Sequence, residues 1–275
     1  MIRRCCVVLA AWLLLAAGFA AARAGSPSLI SIETPRGVAQ AFILIKPDNP
    51  IASVILFAGG PGALGLQDAS SMKWGAKNFL VRSRDKFAAQ GLMVAVIDAP
   101  SDRQQGMNAI FRMSGAHASD IAAVVKYLKK EGGAPVWLVG TSMGTFSAAA
   151  GAIAAKDVGG LVLTSTLTRS KPDWKIARSH RNGVASMRLS RVAVPTLIVS
   201  HRNDGCELTP AAGAYKLKRR LSGSAKVEIA LLEGGSPPQS DPCEAMSQHG
   251  FLGIEDEAVH TIVKFVKAQP AKSVR

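Results

Sequence analysis

Five consecutive residues, Gly140-Thr141-Ser142-Met143-Gly144, form a Gly-x-Ser-x-Gly pattern. A serine hydroxyl is a weak nucleophile by itself, so what matters is where the chain places it. Here the pattern lies between a strand-like run, Pro135 to Val139, and an Ala-rich helical stretch, Met143 to Lys156. A tight strand-to-helix turn forces its central serine into a strained backbone and lifts the hydroxyl above the sheet. Gly140 and Gly144 carry no side chain to clash where strand, turn and helix cross. The helix N-terminus adds positive potential, and the Met143 N–H is one donor to a developing oxyanion. The chemistry is acyl transfer through a covalent serine intermediate.

Such a serine needs a base, and the base needs an orienting carboxylate. The histidines are His117, His180, His201, His249 and His260. His117 opens a helix before the nucleophile and His260 lies inside the last helix, so both read as structural or solvated. His249 falls in a loop, Gln248-His249-Gly250-Phe251, after the last strand-like run. Loops at the carboxyl edge of a doubly wound sheet are where sites are built. Asp204, after the run Val194 to Ser200, is the matching acid; its plain alternative is an Asp-Gly turn residue. Asp98 competes, but it precedes the serine and breaks the chain order Ser, Asp, His. The second oxyanion donor is expected in Phe57-Ala58-Gly59-Gly60-Pro61-Gly62, at the N–H of Gly60.

The elements that must position these residues alternate along the chain. Strand-like runs are Leu29 to Glu33, Val38 to Lys46, Ser53 to Phe57, Leu92 to Asp98, Pro135 to Val139, Gly160 to Thr164, Val194 to Ser200 and Lys226 to Leu232. Helical spacing runs over Trp74 to Gln90, Ala116 to Lys130, Met143 to Lys156, Pro210 to Leu221 and Glu255 to Ala268. Alternation of this kind predicts a mostly parallel α/β sheet covered on both faces. The first two strands, joined by a Pro-Arg-Gly turn, are expected to form an antiparallel edge. No linker divides the chain, so residues 25–275 are expected to form one domain.

Composition sets the frame. With 275 residues, 48% hydrophobic and 19% charged, the chain is too apolar for disorder. Its 26 glycines follow no period, which excludes fibrous repeats. Arg3 and Arg4, the apolar run Cys5 to Ala22 and the small-x-small site Ala22-Arg23-Ala24 make residues 1–24 an expected secretory signal peptide. A membrane anchor is the alternative reading. Cleavage would remove Arg3, Arg4 and Arg23 and lower the formal charge from +14 to +11. Export, to a periplasm or outside the cell, separates so basic a chain from nucleic acid and leaves anionic envelope surfaces or acidic substrates as partners, with plain solubility as the alternative reading of the charge. Cys206 and Cys243 are then the remaining cysteines, a natural pair for one disulfide tying the acid loop to the base loop. Two cysteines without CxxC or HxxxH spacing build no metal shell.

Together these residues resemble the α/β-hydrolase superfamily over essentially the whole mature chain. The match rests on Gly140 to Gly144 as nucleophile elbow, Gly59-Gly60 as oxyanion loop, Asp204 as acid and His249 as base. The run Ala58-Gly59-Gly60-Pro61-Gly62 is also similar to the His-Gly-Gly-Pro-Gly of prolyl iminopeptidases, with Ala58 in place of the histidine. The stretch between Ser142 and Asp204 is too short for the large helical cap of those peptidases. The resemblance implies an eight-stranded sheet with helices on both faces, and an exported serine hydrolase acting on carboxylic esters without cofactor or metal. Acyl transfer, amide cleavage, or a binding role on the same scaffold are the alternatives. A short insertion, 167–191, holds Arg169, Lys171, Lys175, Arg178, Arg181, Arg188 and Arg191 against Asp173. It is expected to be a solvated amphipathic helix or a small lid that attracts an anionic substrate. The oligomeric state stays open.

Overall fold

Runs of apolar residues without polar interruption become the middle of the sheet. The computed structural model describes residues 25–155 and 157–269; the expected signal segment, 1–24, lies outside them, as does Lys156. Eight strands form one sheet: β1 (Ser28–Glu33), β2 (Ala39–Ile45), β3 (Ala52–Phe57), β4 (Leu92–Ile97), β5 (Val136–Thr141), β6 (Gly160–Thr164), β7 (Thr196–His201) and β8 (Val227–Leu232). Their spatial order is β1-β2-β4-β3-β5-β6-β7-β8. β1 pairs antiparallel with β2 and β2 antiparallel with β4; every other pairing is parallel.

Among the described residues, seven α-helices connect and cover the strands: α1 (Phe79–Arg82), α2 (Arg84–Ala89), α3 (Ala109–Arg112), α4 (Gly115–Gly132), α5 (Gly144–Ala154), α6 (Gly213–Arg220) and α7 (Glu255–Lys267). The period-two alternation of the strands sorts them into two layers. Ile55 and Phe57 of β3 and Leu138 of β5 pack with α4, α5 and α6. Val54, Leu56, Trp137 and Val139 pack on the other face with α1, α2 and α7. β3, β4 and β5 are buried along their whole length, whereas the edge strand β8 is mostly half-exposed.

Two expectations need correction. The helical spacing over 74–90 yields only α1 and α2. Gly75 takes a φ of 87°, and the helix starts after Asn78, whose side chain accepts the Leu80 N–H at 3.2 Å. The insertion 167–191 is not a solvated helix. It runs through irregular turns, with short 3₁₀ segments at Gly183–Ser186 and Leu189–Arg191. Gly183, at φ 52°, lies so close to Leu167 that a Cβ would stand 2.3 Å from its carbonyl oxygen. Leu167, Ile176, Val184, Ala185 and Leu189 are buried in the core. The apolar residues of this segment anchor it turn by turn, and the basic ones remain outside.

Candidate functional site

The serine turn has the strained geometry that its pattern requires. Ser142 stands between β5 and α5 at φ 51°, in the left-handed region that non-glycine residues rarely adopt. Its N–H donates to the Thr164 carbonyl at 3.1 Å, and its own carbonyl accepts the Thr145 hydroxyl at 2.5 Å. A Cβ on Gly144 would meet the Phe57 carbonyl oxygen at 2.0 Å, and one on Gly140 would meet the Gly144 oxygen at 2.5 Å. The two glycines therefore let β3, β5 and α5 close on one another and hold the strained residue between them.

Asp204 and His249 meet as the chain order suggests. The Asp204 Oδ2 lies 3.1 Å from His249 Nδ1, with the carboxylate fully buried and the histidine side chain 5% exposed. The carboxylate also accepts the Cys206 N–H at 2.9 Å and the Thr209 hydroxyl at 2.8 Å. The Thr209 oxygen is 3.1 Å from the same Nδ1. With acceptors facing Nδ1, the proton is assigned there, which leaves Nε2 free to accept one. The backbone is fixed as well. Ser165, itself at φ 41°, donates its hydroxyl to the His249 carbonyl at 2.7 Å. Arg82 donates to the Gly250 carbonyl at 2.6 Å and to Glu255 of α7 at 2.9 Å. Cys206 and Cys243 are joined by a disulfide, so a covalent bond links the acid loop to the segment before His249.

The glycine loop after β3 runs against Ser142. A Cβ on Gly59 would stand 2.9 Å from the Ser142 Cβ, and one on Gly60 would enter the Trp74 ring at 2.6 Å. Among the described residues, neither the Gly60 nor the Met143 N–H donates to a protein acceptor. Both are free to meet an anion. Asp98 is accounted for differently: its carboxylate accepts the N–H groups of Leu64 at 2.6 Å, Leu66 at 3.0 Å and Ala99 at 2.7 Å. It organises the end of the glycine loop and does not orient a histidine.

Ser142 and His249 open into one cleft of about 770 Å³, a size suited to a small organic ligand. Trp74, Phe79, Leu167 and Trp174 give it apolar wall, and Lys73, Lys77 and Lys171 border it. The insertion thus contributes Leu167, Lys171 and Trp174 to the rim. The other histidines stand elsewhere. His201 is buried, bonded to the Gly234 carbonyl at 3.0 Å, and His260 is exposed on α7. His117 is buried against Ser147 at 3.0 Å, and burial together with the nearby Arg112 and Arg36 charges pushes its pKa down to about 3. Sequence reasoning missed Thr209, Ser165, Trp74 and Arg112. For Thr209, its place five residues after Asp204 was a usable signal; the others reach the site only through tertiary packing.

No family model and no curated protein matches this sequence. Solved structures do. The Pyrococcus furiosus esterase Pf2001 matches with a TM-score of 0.61 over 88% of this chain and 92% of that chain, at 15% identity. The α/β hydrolase GrgF from Penicillium sp. sh18 matches with a TM-score of 0.63 over 88% and 98%, at 12% identity. A cold-adapted esterase from an Arctic intertidal metagenomic library matches with a TM-score of 0.51 over 83% and 92%, at 18% identity. At such identities the likeness establishes architecture: this chain has the α/β-hydrolase fold.

Proposed function

We propose that this chain is an exported serine hydrolase that cleaves carboxylic esters, with preference for esters that carry an anionic group. One observation carries the reading: a serine held at φ 51° on the strand–helix turn shares a cleft with a histidine whose far nitrogen is bonded to a buried aspartate. His249 Nε2 takes the Ser142 proton as Oγ attacks the acyl carbon, and the carbonyl electron pair moves onto oxygen. The N–H groups of Gly60 and Met143 stabilise that oxyanion. Its collapse expels the alcohol, which leaves with the proton held by His249. Water then repeats the sequence on the acyl-enzyme, releasing the acid and restoring Ser142. No step calls on a cofactor.

The rim supports the anionic preference. The lysines that form ion pairs among the described residues are Lys46, Lys86, Lys129 and Lys226. Lys73, Lys77 and Lys171 therefore face the cleft unpaired, against Glu244 as the acid in its lining. A cleft whose lining is net positive raises the local concentration of anions. The export reading is supported by the pattern of residues 1–24 and by the disulfide, a bond that persists in oxidising compartments.

The test is hydrolysis of p-nitrophenyl esters by the wild-type chain and Ser142→Ala, comparing a neutral acyl group with a hemisuccinate of similar length. Wild-type turnover should fall at least about 10⁴-fold in the variant. The hemisuccinate should be favoured by roughly tenfold in kcat/KM at low salt, and the advantage should shrink as salt screens the lysines. Equal rates for the two esters would remove the anionic preference. Absence of turnover, together with no labelling of Ser142 by a fluorophosphonate, would remove the hydrolase reading.

A further inference from the structure

Among the described residues, the interior holds a cation without a carboxylate. Arg112, the last residue of α3, is 1% exposed. Its hydrogen bonds go to neutral acceptors: Nε–H to the Met107 carbonyl at 3.1 Å, Nη1 to the Ser147 hydroxyl at 2.9 Å, and Nη2 to the Gly60 carbonyl at 3.1 Å. Burial lowers the guanidinium pKa to about 10, so it stays charged at neutral pH. Burying a charge without a counterion opposes folding, and an apolar side chain of similar volume is commonly the more stable choice. The compensation therefore lies in what the bonds hold.

They hold the two halves of the oxyanion pocket. Ser147 lies on α5, whose N-terminus presents the Met143 N–H. Gly60 belongs to the loop that presents the opposing N–H. The peptide after Gly60 leads into Pro61, which has no N–H, so the Gly60 carbonyl is that peptide's single polar handle. Gly60 itself, at φ 52° and lacking a Cβ, resists rotation poorly. Beyond it, a Cβ on Gly62 would stand 2.2 Å from Arg112 Nη2, so the loop is wrapped around the guanidinium. His117, at 3.0 Å from Ser147 Oγ, backs the serine from the other side.

We propose that Arg112 is the positioning residue of the oxyanion pocket, holding the Gly60 loop and the nucleophile helix in fixed register through the Gly60 carbonyl and the Ser147 hydroxyl. The inference rests on the serine-hydrolase reading. Arg112 does not touch substrate; it acts through the peptide it anchors.

The experiment measures kcat, KM and the affinity of a trifluoromethyl ketone, which adds to the active serine as an oxyanion, in the full chain carrying Arg112→Ala. Rates are normalised to serine titrated by a fluorophosphonate. Loss of the pocket geometry should lower kcat by about 100-fold. KM should stay within about threefold, and ketone affinity should fall in step with kcat. A merely structural arginine would lower the fraction of titratable protein and leave kcat per titrated serine unchanged; that result overturns the proposal. Should Arg112→Ala not fold, Ser147→Ala decides, because it keeps the guanidinium on Gly60 and cuts the link to α5. It should lower kcat by about five- to tenfold, less than the loss of a whole oxyanion donor. An unchanged kcat overturns the proposal. If the wild-type chain neither turns over nor labels, the hydrolase reading fails and this inference falls with it. Wild-type turnover with indifferent variants rejects Arg112 alone.

Discussion

Ser142 and the Gly59–Gly60 loop sit above β3 and β5, strands buried along their whole length, whereas Asp204 and His249 hang from β7 and from the half-exposed edge strand β8. The first region is held by close backbone approach, at glycines where a side chain would clash, and by the buried Asp98 and Arg112 side chains. The second is buried too, but it lies where the sheet ends at β8. Its residues 233–254 form a long loop between β8 and α7, secured by a disulfide, by Arg82 and by hydrogen bonds to Ser165 and Thr209. Packing therefore supplies precision where the sheet is deep, and discrete bonds supply it where the sheet ends.

The comparison can be broken from either side. The largest effect is expected at the buried carboxylate. Asp204→Asn presents a donor where His249 Nδ1–H needs an acceptor, so kcat should fall by about 10³- to 10⁴-fold with the fold intact. Circular dichroism alongside ester kinetics checks this. A fall below tenfold would mean that Thr209 alone can orient the ring.

Cutting the bridge should distinguish the two regions most directly. Paired Cys206→Ser and Cys243→Ser substitutions release a closure across 37 residues, worth about 4 kcal/mol on the chain-entropy model. The midpoint of thermal unfolding should drop by roughly 10 °C. Hydrogen exchange should accelerate more in 233–254 than in β3 and β5, which lose protection only by the fall in global stability. Uniform acceleration would show that the bridge stabilises the whole sheet and not its edge.

The smallest effect concerns the deep side and acid. Burial holds His117 neutral with a pKa near 3, against an unfolded value of about 6.5. Below pH 6.5 the unfolded chain binds a proton that the folded chain refuses. Stability from this residue is thus full above pH 6.5 and is lost as pH falls toward 3, by up to about 2 kcal/mol at pH 5. His117→Gln should flatten this part of the acid limb in urea titrations at pH 7 and pH 5. An unchanged slope would assign the acid sensitivity to other groups.

What the sequence disclosed follows the same division. The elbow was legible because Gly140 to Gly144 is local: the residues that strain the turn are also the residues that make it. Asp204 and His249 were legible through chain order, since each follows a strand end. Arg112 was not, because its meaning depends on a carbonyl fifty-two residues earlier in the chain and a hydroxyl thirty-five later. Neither was the insertion 167–191. Its charges suggested an exposed helix, but the positive φ of Gly183 and five buried apolar residues bend it into the core. The spacing of 74–90 was helical in its second half only, because Trp74 and Gly75 serve the glycine loop and the helix waits for the Asn78 cap.

The bond from Arg82 to Glu255 has a consequence in time. Synthesis proceeds from the N-terminal end, so the elbow, the glycine loop and the acid are all made before His249 and α7 exist. A chain halted after β8 would lack His249, the base of the proposed triad. Arg82 bonds both the Gly250 carbonyl, next to the ring, and Glu255 in the first turn of α7, so the placing of His249 is tied to the docking of that helix. On the proposed triad, Ser142 gains its partner only once His249 and α7 have been made and folded.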